Sequence, residues 1–133
     1  MKMTVRSEYA LLALIFLAHQ EKDQYTNVKT ISKVQKIPPK FLEQILLAMK
    51  HAGTVSSVKG QLGGYRLAKP AGKITVGEII RLFDGALAPT ESVSKFFYKA
   101  TPIRSEKKLM KLFQSIRDFV AEKLEKTTIA DVM

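Results

Sequence analysis

Apolar and polar positions divide the first part of the chain into three predicted helices. Residues 4–20 are nearly all apolar, which predicts a buried helix that Thr4 is placed to cap. Residues 28–35 carry an apolar side chain at every third position, which predicts a short helix with one apolar face. Two prolines end that helix, and the next one begins at Pro39 and stops at Gly53, with apolar residues at helical spacing. The last two helices form a helix-turn-helix pattern.

A hairpin and a fourth helix are predicted next. Residues 54–58 and 65–68 are short and β-prone, and the six residues between them, KGQLGG, form the tip of a hairpin. Thr75 and Glu78 have the spacing of a capping box, and Gly85 ends the helix that follows. A hairpin that follows a helix-turn-helix is the wing of a winged helix, so we predict a mainly α fold with a small β-hairpin wing.

The last third of the chain is predicted to form a linker and one long helix. Residues 86–101 show no period and are expected to be a linker or a sensing region. Thr101 and Pro102 can start a helix that runs to about Lys126. Its apolar face favours packing on a second subunit, although packing on its own domain is also possible. The expected dimerisation residues are Leu109, Leu112, Phe113, Ile116, Phe119 and Val120. We therefore expect a DNA-binding domain at 1–85, a linker at 86–101, and a dimerisation helix with a tail at 102–133.

Composition narrows the possible partners. The chain has 22 lysine and arginine residues against 12 acidic ones, a net charge of +10, which favours a polyanion such as nucleic acid or an anionic membrane surface. It has no cysteine, which excludes disulfides, thiolate metal sites and cysteine nucleophiles. The apolar run from Tyr9 to Ala18 is too short to span a bilayer, and Glu8 interrupts the basic flank that a signal peptide needs. We expect a cytoplasmic protein with no membrane partner.

The glycines of the hairpin tip could belong to a phosphate-binding loop or to a turn. They fit neither GxGxxG nor GxxxxGK[ST], and they lead into a strand rather than a helix. Glycine also supplies positive φ in an ordinary hairpin. A slender tip that carries Lys59 and Gln61 can, however, enter the minor groove of DNA. The histidines, His19 and His51, are isolated. We therefore predict that the protein is not an enzyme.

Four segments together resemble a known family. They are "VRSEYALLAL" at the start, "FLEQIL" at 41–46, "AGTVSSVKGQLGGYRLAKP" at 52–70 and "ITVGEIIRLFDG" at 74–85. In this order they resemble the Rrf2 family of bacterial winged-helix transcription regulators, which includes the IscR, NsrR and CymR types. The resemblance is close over residues 1–90 and extends to the rest of the chain only in its general architecture.

The resemblance implies a homodimer that represses or activates transcription at a pseudo-palindromic operator on double-stranded DNA, with repression as the expected mode. The recognition helix would lie in the major groove, the wing in the minor groove, and the long C-terminal helix in the dimer interface. Glu43 and Gln44 fall on the family's base-reading motif, and Glu can accept from cytosine N4 while Gln pairs with adenine. The expected contacts of the recognition helix are Lys40, Glu43 and Gln44. Those of the wing are Lys59, Gly60, Gln61, Gly63, Gly64 and Tyr65. Those with the DNA backbone are Arg6, Lys29 and Thr30.

Three places bear on how closely the chain follows the family pattern. Many members hold an iron–sulfur cluster through three cysteines, but this chain has none, and Ser92 stands about where the first would fall. Glu8 matches a cluster ligand of some relatives, but without cysteines it is expected to be an ordinary carboxylate at a helix N-terminus. Lys36 stands where the family commonly has glycine, so a positive φ there would be strained.

We therefore expect no metal and no cofactor. A metabolic enzyme or a small-molecule effector is a further possible partner. The alternative function is a protein-interaction module that regulates or senses such an enzyme, with weak or conditional DNA binding.

Overall fold

The computed structural model describes residues 1–133 and contains six α-helices and one antiparallel hairpin. The helices are α1 (Val5–Ala18), α2 (Val28–Gln35), α3 (Pro39–His51), α4 (Val76–Asp84), α5 (Lys107–Lys126) and α6 (Ile129–Val132). The strands are β1 (Val55–Val58) and β2 (Gly64–Leu67). Short 3₁₀ turns lie at Ala71–Lys73, Glu91–Val93 and Pro102–Ser105. This architecture confirms the predicted fold class.

Helix α1 is the centre of the core. It packs against α2, α3, α4, α6 and β2, and Ala10, Ala13 and Leu14 are fully buried. Small residues at two of these positions let neighbouring helices approach closely. Helix α1 is apolar around most of its circumference because other elements surround it.

Helices α2 and α3 form the helix-turn-helix. The Asn27 side chain caps α2 by accepting a hydrogen bond from the Thr30 amide at 2.8 Å. The helix ends at Lys36, which has φ of 56° and ψ of 47° in the left-handed region. The turn therefore has positive φ, and a lysine adopts this conformation where glycine would be favoured. Pro39 occupies the first position of α3, as predicted.

The wing is a short hairpin held to the body by a third segment of chain. Strands β1 and β2 pair antiparallel, from Val55 opposite Leu67 to Val58 opposite Gly64. Thr26 forms a bridge with Tyr65, with N–H to O distances of 2.9 Å and 2.8 Å in the two directions. The wing therefore cannot swing freely about its base.

Helix α4 has the predicted capping box of Thr75 and Glu78 and ends at Gly85. Its last residue, Asp84, accepts hydrogen bonds from the Ser7 hydroxyl at 2.5 Å and from the Thr4 amide at 3.0 Å. Thr4 was expected to cap α1 with its side chain, and this is wrong, because its hydroxyl donates to Asp84 instead. A carboxylate from α4 thus accepts at the N-terminus of α1.

The first part of the region predicted to be a linker is packed. Leu87, Ala88, Ser92, Val93 and Ser94 are buried, and the Thr101 hydroxyl hydrogen-bonds with Ser92 and with Thr90. Because its hydroxyl is engaged there, Thr101 caps no helix, and the segment that follows is a 3₁₀ turn. The helix predicted from Pro102 therefore begins only at Lys107.

The C-terminal tail closes the core, which the sequence did not indicate. Ile129 of α6 is fully buried, and Thr128 bridges Thr75 at the start of α4. The proposed boundary between domains stays a prediction, but the tail packs on the first domain. No helix in the chain has both the length and the apolar character needed to cross a membrane.

Candidate nucleic-acid interface

Positive charge is concentrated in the helix-turn-helix and the wing. Residues 28–66 contain seven lysine and arginine residues and a single acidic residue, Glu43, so they carry six of the ten net positive charges. All six lysines of this segment are exposed. A surface of this kind attracts a polyanion and can displace the counterions of DNA.

Helix α3 presents a polar face that is backed by the core. Lys40, Glu43 and Gln44 are exposed and lie at helical spacing on one side. The opposite side carries Leu42, Ile45, Leu46 and Met49, all fully buried. The buried side fixes the helix, so its polar side chains project from a rigid element, as base reading requires.

Leu47 continues the polar face of α3 and was not predicted as a site residue. Its side chain is 47% exposed, one turn beyond Glu43. An apolar residue on an otherwise polar helix face was the available signal, and a leucine there can contact a thymine methyl group.

The N-terminal end of α2 presents backbone and side-chain donors. Lys29 and Thr30 are exposed in its first turn. Positive charge at a helix N-terminus suits a phosphate oxygen. The structure thus brings these two predicted backbone contacts into the same helix-turn-helix unit as α3.

The tip of the wing is exposed. Lys59, Gly60 and Gln61 project into solvent, and Gly60 has φ of 108°. Leu62 is 95% exposed and was missed by the sequence analysis. Apolar residues at such positions can wedge between base steps in the minor groove. A leucine between turn glycines was the signal that could have identified it.

The base of the wing has a structural role. A Cβ at Gly63 would meet the backbone of Val58 and Lys59, and a Cβ at Gly64 would meet the backbone of Thr26 and Asn27. These glycines let backbone segments touch, and the groove contacts predicted for them stay a prediction.

Tyr65 holds the wing to the body of the protein. Its ring packs against the core, and its backbone carries the bridge to Thr26. Burial raises the pKa of the Tyr65 hydroxyl, and the nearby Glu43 carboxylate raises it further. The hydroxyl is therefore neutral at physiological pH and can donate a hydrogen bond.

Two arginines lie in other clusters. Arg66 pairs with Asp23 at 2.9 Å and lies 4.6 Å from the centre of the Tyr25 ring, which ties β2 to the loop after α1. Arg6, predicted as a DNA backbone contact, lies 5.3 Å from the centre of the Phe83 ring of α4. The structure thus places Arg6 against α4, and its contact with the DNA backbone stays a prediction.

Helix α5 divides the predicted dimerisation residues into two groups. Phe113 and Val120 are partly buried, whereas four others are exposed. The exposed fractions are 37% for Leu109, 51% for Leu112, 39% for Ile116 and 76% for Phe119. These four residues, called here the α5 stripe, lie within one narrow sector of the helix.

Comparisons with known proteins agree with this architecture. A family described as "Rrf2: Iron-dependent Transcriptional regulator" matches residues 3–133. The HTH-type transcriptional regulator CymR of Bacillus subtilis is 33% identical over 132 residues, covering 99% of this chain and 89% of the relative. The HTH-type transcriptional regulator IscR of Cereibacter sphaeroides is 28% identical over 135 residues, covering 100% of this chain and 87% of the relative.

The same relationship holds in three dimensions. The structure of CymR (YrzC), the global cysteine regulator of B. subtilis, superimposes with a TM-score of 0.84 at 30% identity, covering 99% of this chain and 95% of that chain. The structure of T. potens IscR superimposes with a TM-score of 0.71 at 29% identity, covering 99% and 85%. These relatives are transcriptional regulators, a non-enzymatic class, which confirms the prediction that the chain is not an enzyme.

The iron in the family description does not fit the residues of this chain. Iron–sulfur clusters are held mainly by cysteine thiolates, and the chain contains no cysteine. No three His, Asp or Glu side chains are grouped so as to hold a metal ion. The donor set for such a centre is therefore missing.

Proposed function

Because this chain belongs to the Rrf2 family of DNA-binding transcriptional regulators, we propose that it acts as a homodimer on a pseudo-palindromic operator, with repression as its expected mode. The observation that carries the proposal is the polar face of α3, where Lys40, Glu43 and Gln44 are exposed on a helix whose other side is fully buried. No step of this function involves iron.

Base reading is assigned to Glu43 and Gln44. A glutamine can bond both N6 and N7 of adenine, and a glutamate can accept from cytosine N4. Lys40, at the start of the helix, is assigned to a phosphate or to a base edge. These contacts would give the protein its sequence preference.

Positioning on the duplex is assigned to α2 and the wing. Lys29 and Thr30 would contact phosphates, while Lys59 and Gln61 would enter the minor groove, where the negative potential is enhanced. Arg6 stays a proposed phosphate contact on the resemblance alone. Gly60, Gly63, Gly64 and Tyr65 stay proposed DNA contacts of the wing, which they would also shape and anchor.

Dimerisation is assigned to the α5 stripe. Four large apolar side chains exposed on one sector of a helix leave a surface that a second copy can cover. Two copies related by a two-fold axis would present two α3 helices to two half-sites, which explains why a pseudo-palindromic operator is proposed. Residues 1–85 would then read DNA, and residues 102–126 would join the copies.

The division of contacts can be tested by fluorescence anisotropy on a duplex recovered by selection from a random pool. Gln44→Ala should reduce discrimination at one base position of each half-site by about 1–3 kcal/mol. Lys29→Ala should weaken every sequence alike and lower the slope of log K against log salt by about one for each copy. Lys111→Ala, an exposed lysine on α5, serves as the control and should change neither quantity. Equal losses on all sequences for both Gln44→Ala and Lys29→Ala would contradict the assignment.

The interface can be tested by analytical ultracentrifugation. Phe119→Glu places a charge in the stripe and should shift the protein towards monomer, since a buried unpaired charge is costly. Gln114→Glu makes a matched change on the far side of α5 and should leave the dimer intact. If Phe119→Glu stayed fully dimeric at micromolar concentration, the α5 stripe would not be the interface.

A further inference from the structure

A cleft between α4, α5 and the segment 94–97 is separate from the DNA-facing surface. It encloses about 680 Å³. Sites for small molecules range from about 300 to 1,000 Å³, so the cleft has a suitable size. It is lined by side chains of α4, of α5 and of the segment before α5.

Aromatic side chains give the cleft an apolar surface. Phe96 is 74% exposed and Phe97 is 45% exposed, and Leu87 and Ala121 line the cleft beside them. The Arg81 guanidinium lies 5.2 Å from the centre of the Phe96 ring. Two adjacent phenylalanines exposed in a concave site offer an apolar ligand a large contact area.

The charges of the cleft leave one cation without a partner. Three ion pairs join cleft residues: Arg81 with Glu125, Arg117 with Asp118, and Lys126 with Glu122. Lys95 also lines the cleft and takes part in no ion pair. The cleft therefore has one positive charge that no carboxylate balances.

A hydroxyl beside Lys95 can supply a second donor. The Ser94 oxygen accepts a hydrogen bond from the Phe97 amide at 2.9 Å and donates none within the chain. Its proton is free to point to a ligand oxygen. Lys95 and Ser94 both line the cleft and are adjacent in the chain, so together they can form a seat for one anionic group beside the apolar surface.

From this arrangement we propose that the cleft binds a small organic carboxylate with an apolar body. The carboxylate accepts from the Lys95 ammonium and the Ser94 hydroxyl, and the apolar body lies on Phe96 and Phe97. The single unbalanced charge favours a monoanion over a phosphate ester or a polyanion.

One wall of the cleft faces away from the proposed dimer interface. On α5, Asp118, Ala121 and Glu125 lie roughly opposite the α5 stripe at 100° per residue, whereas Lys126 lies beside Phe119. A second copy on the stripe would therefore leave the wall around Ala121 uncovered.

The test is an amide ¹H–¹⁵N NMR titration of the full chain with 3-phenylpropanoate, compared with the uncharged 3-phenylpropan-1-ol. We expect saturable shifts at Ser94–Phe97 and around Ala121 with the carboxylate, and at least about tenfold weaker binding of the alcohol, because charged hydrogen bonds contribute more. No saturable shifts there, or equal affinity for the two compounds, would overturn the proposal.

Two lysine variants distinguish a specific contact with Lys95 from a general effect of positive charge. Lys95→Gln should weaken 3-phenylpropanoate binding by about tenfold, whereas Lys99→Gln, an exposed lysine of the same segment outside the cleft, should change it less than about twofold. Amide spectra that are otherwise unchanged would show that both variants are folded. Equal weakening by the two variants would refute the role of Lys95.

Discussion

Replacing Gly64 by alanine should detach the base of the wing. Gly64 has φ of 145°, a conformation that an alanine adopts with strain. The added Cβ would lie 2.6 Å from the Asn27 nitrogen and closer still to the Thr26 carbonyl group. Because these are backbone atoms, the strand and the Thr26 segment must separate, and the Thr26–Tyr65 bridge is lost.

The magnitude follows from two contributions. The unfavourable φ costs about 1 kcal/mol. The bridge consists of two backbone hydrogen bonds, at 2.9 Å and 2.8 Å, and each contributes about 1 kcal/mol to stability. The free energy of unfolding should therefore fall by about 3 kcal/mol.

Gly60→Ala is the matched control. Gly60 also has positive φ, at 108°, but a Cβ there meets no atom within 4 Å. It should lose only the conformational contribution of about 1 kcal/mol. The difference between the two variants isolates the close approach of the wing to Thr26.

The assay is urea unfolding followed by circular dichroism at one fixed protein concentration, since association would couple stability to concentration. With a urea dependence of about 1.5 kcal/mol per molar, the midpoint should fall by about 2 M for Gly64→Ala and by about 0.7 M for Gly60→Ala. Equal shifts for the two variants would show that the close approach of Gly64 to the Thr26 backbone does not contribute to stability.

Three further predictions concern stability. Ile129→Ala should lower the free energy of unfolding by about 3 kcal/mol, because the side chain is fully buried; a loss below about 1 kcal/mol in thermal unfolding would show that α6 does not close the core. Lys36→Gly should raise the urea midpoint by the equivalent of about 0.5–1 kcal/mol, because it relieves left-handed strain, and a lower midpoint would contradict this. Partial burial alone would raise the pKa of Asp84, but hydrogen bonds from Ser7 and Thr4 outweigh it and hold that pKa below its usual value. The stability that Asp84 contributes should thus be present above pH 3.8 and lost as pH falls through the lower folded-state pKa. Asp84→Asn should therefore destabilise the protein near neutral pH. Unfolding curves at successive pH values should show that the variant lacks this acid-dependent loss of stability.

Elements fixed by local signals could be predicted from the sequence. The apolar spacing of residues 28–35 gave the bounds of α2, and Pro39 gave the start of α3. The capping box at Thr75 and the glycine at position 85 delimited α4. In each case neighbours in the sequence determine the structure, so no tertiary information is needed.

Elements fixed by distant contacts could not be predicted. Residues 86–101 show no helical or strand period because they contain only a 3₁₀ turn, and Thr101 is held by the hydroxyls of residues nine and eleven positions earlier. Helix α6 has four residues, too few to show a period, and its burial depends on the bridge between Thr75 and Thr128.

The candidate site divides in the same way. The exposed face of α3 follows from helical spacing, because the positions opposite its apolar residues must face solvent. The same spacing on α5 could not say which apolar residues face the chain's own core, so Phe113 and Phe119 looked alike. The positive charge of Arg6 also does not show where its side chain lies, and only the fold places it over the Phe83 ring.

The proposed function requires a two-fold dimer that reads a symmetric DNA sequence. The most direct test is selection of duplexes from a random pool at about 0.15 M salt, followed by anisotropy titration of the recovered duplex against a scrambled one. Such a dimer should select a two-fold-symmetric motif and bind it at least about a hundredfold more tightly than the scrambled duplex. Recovery of no motif, or of one without two-fold symmetry, would show that the protein does not read DNA as a two-fold dimer.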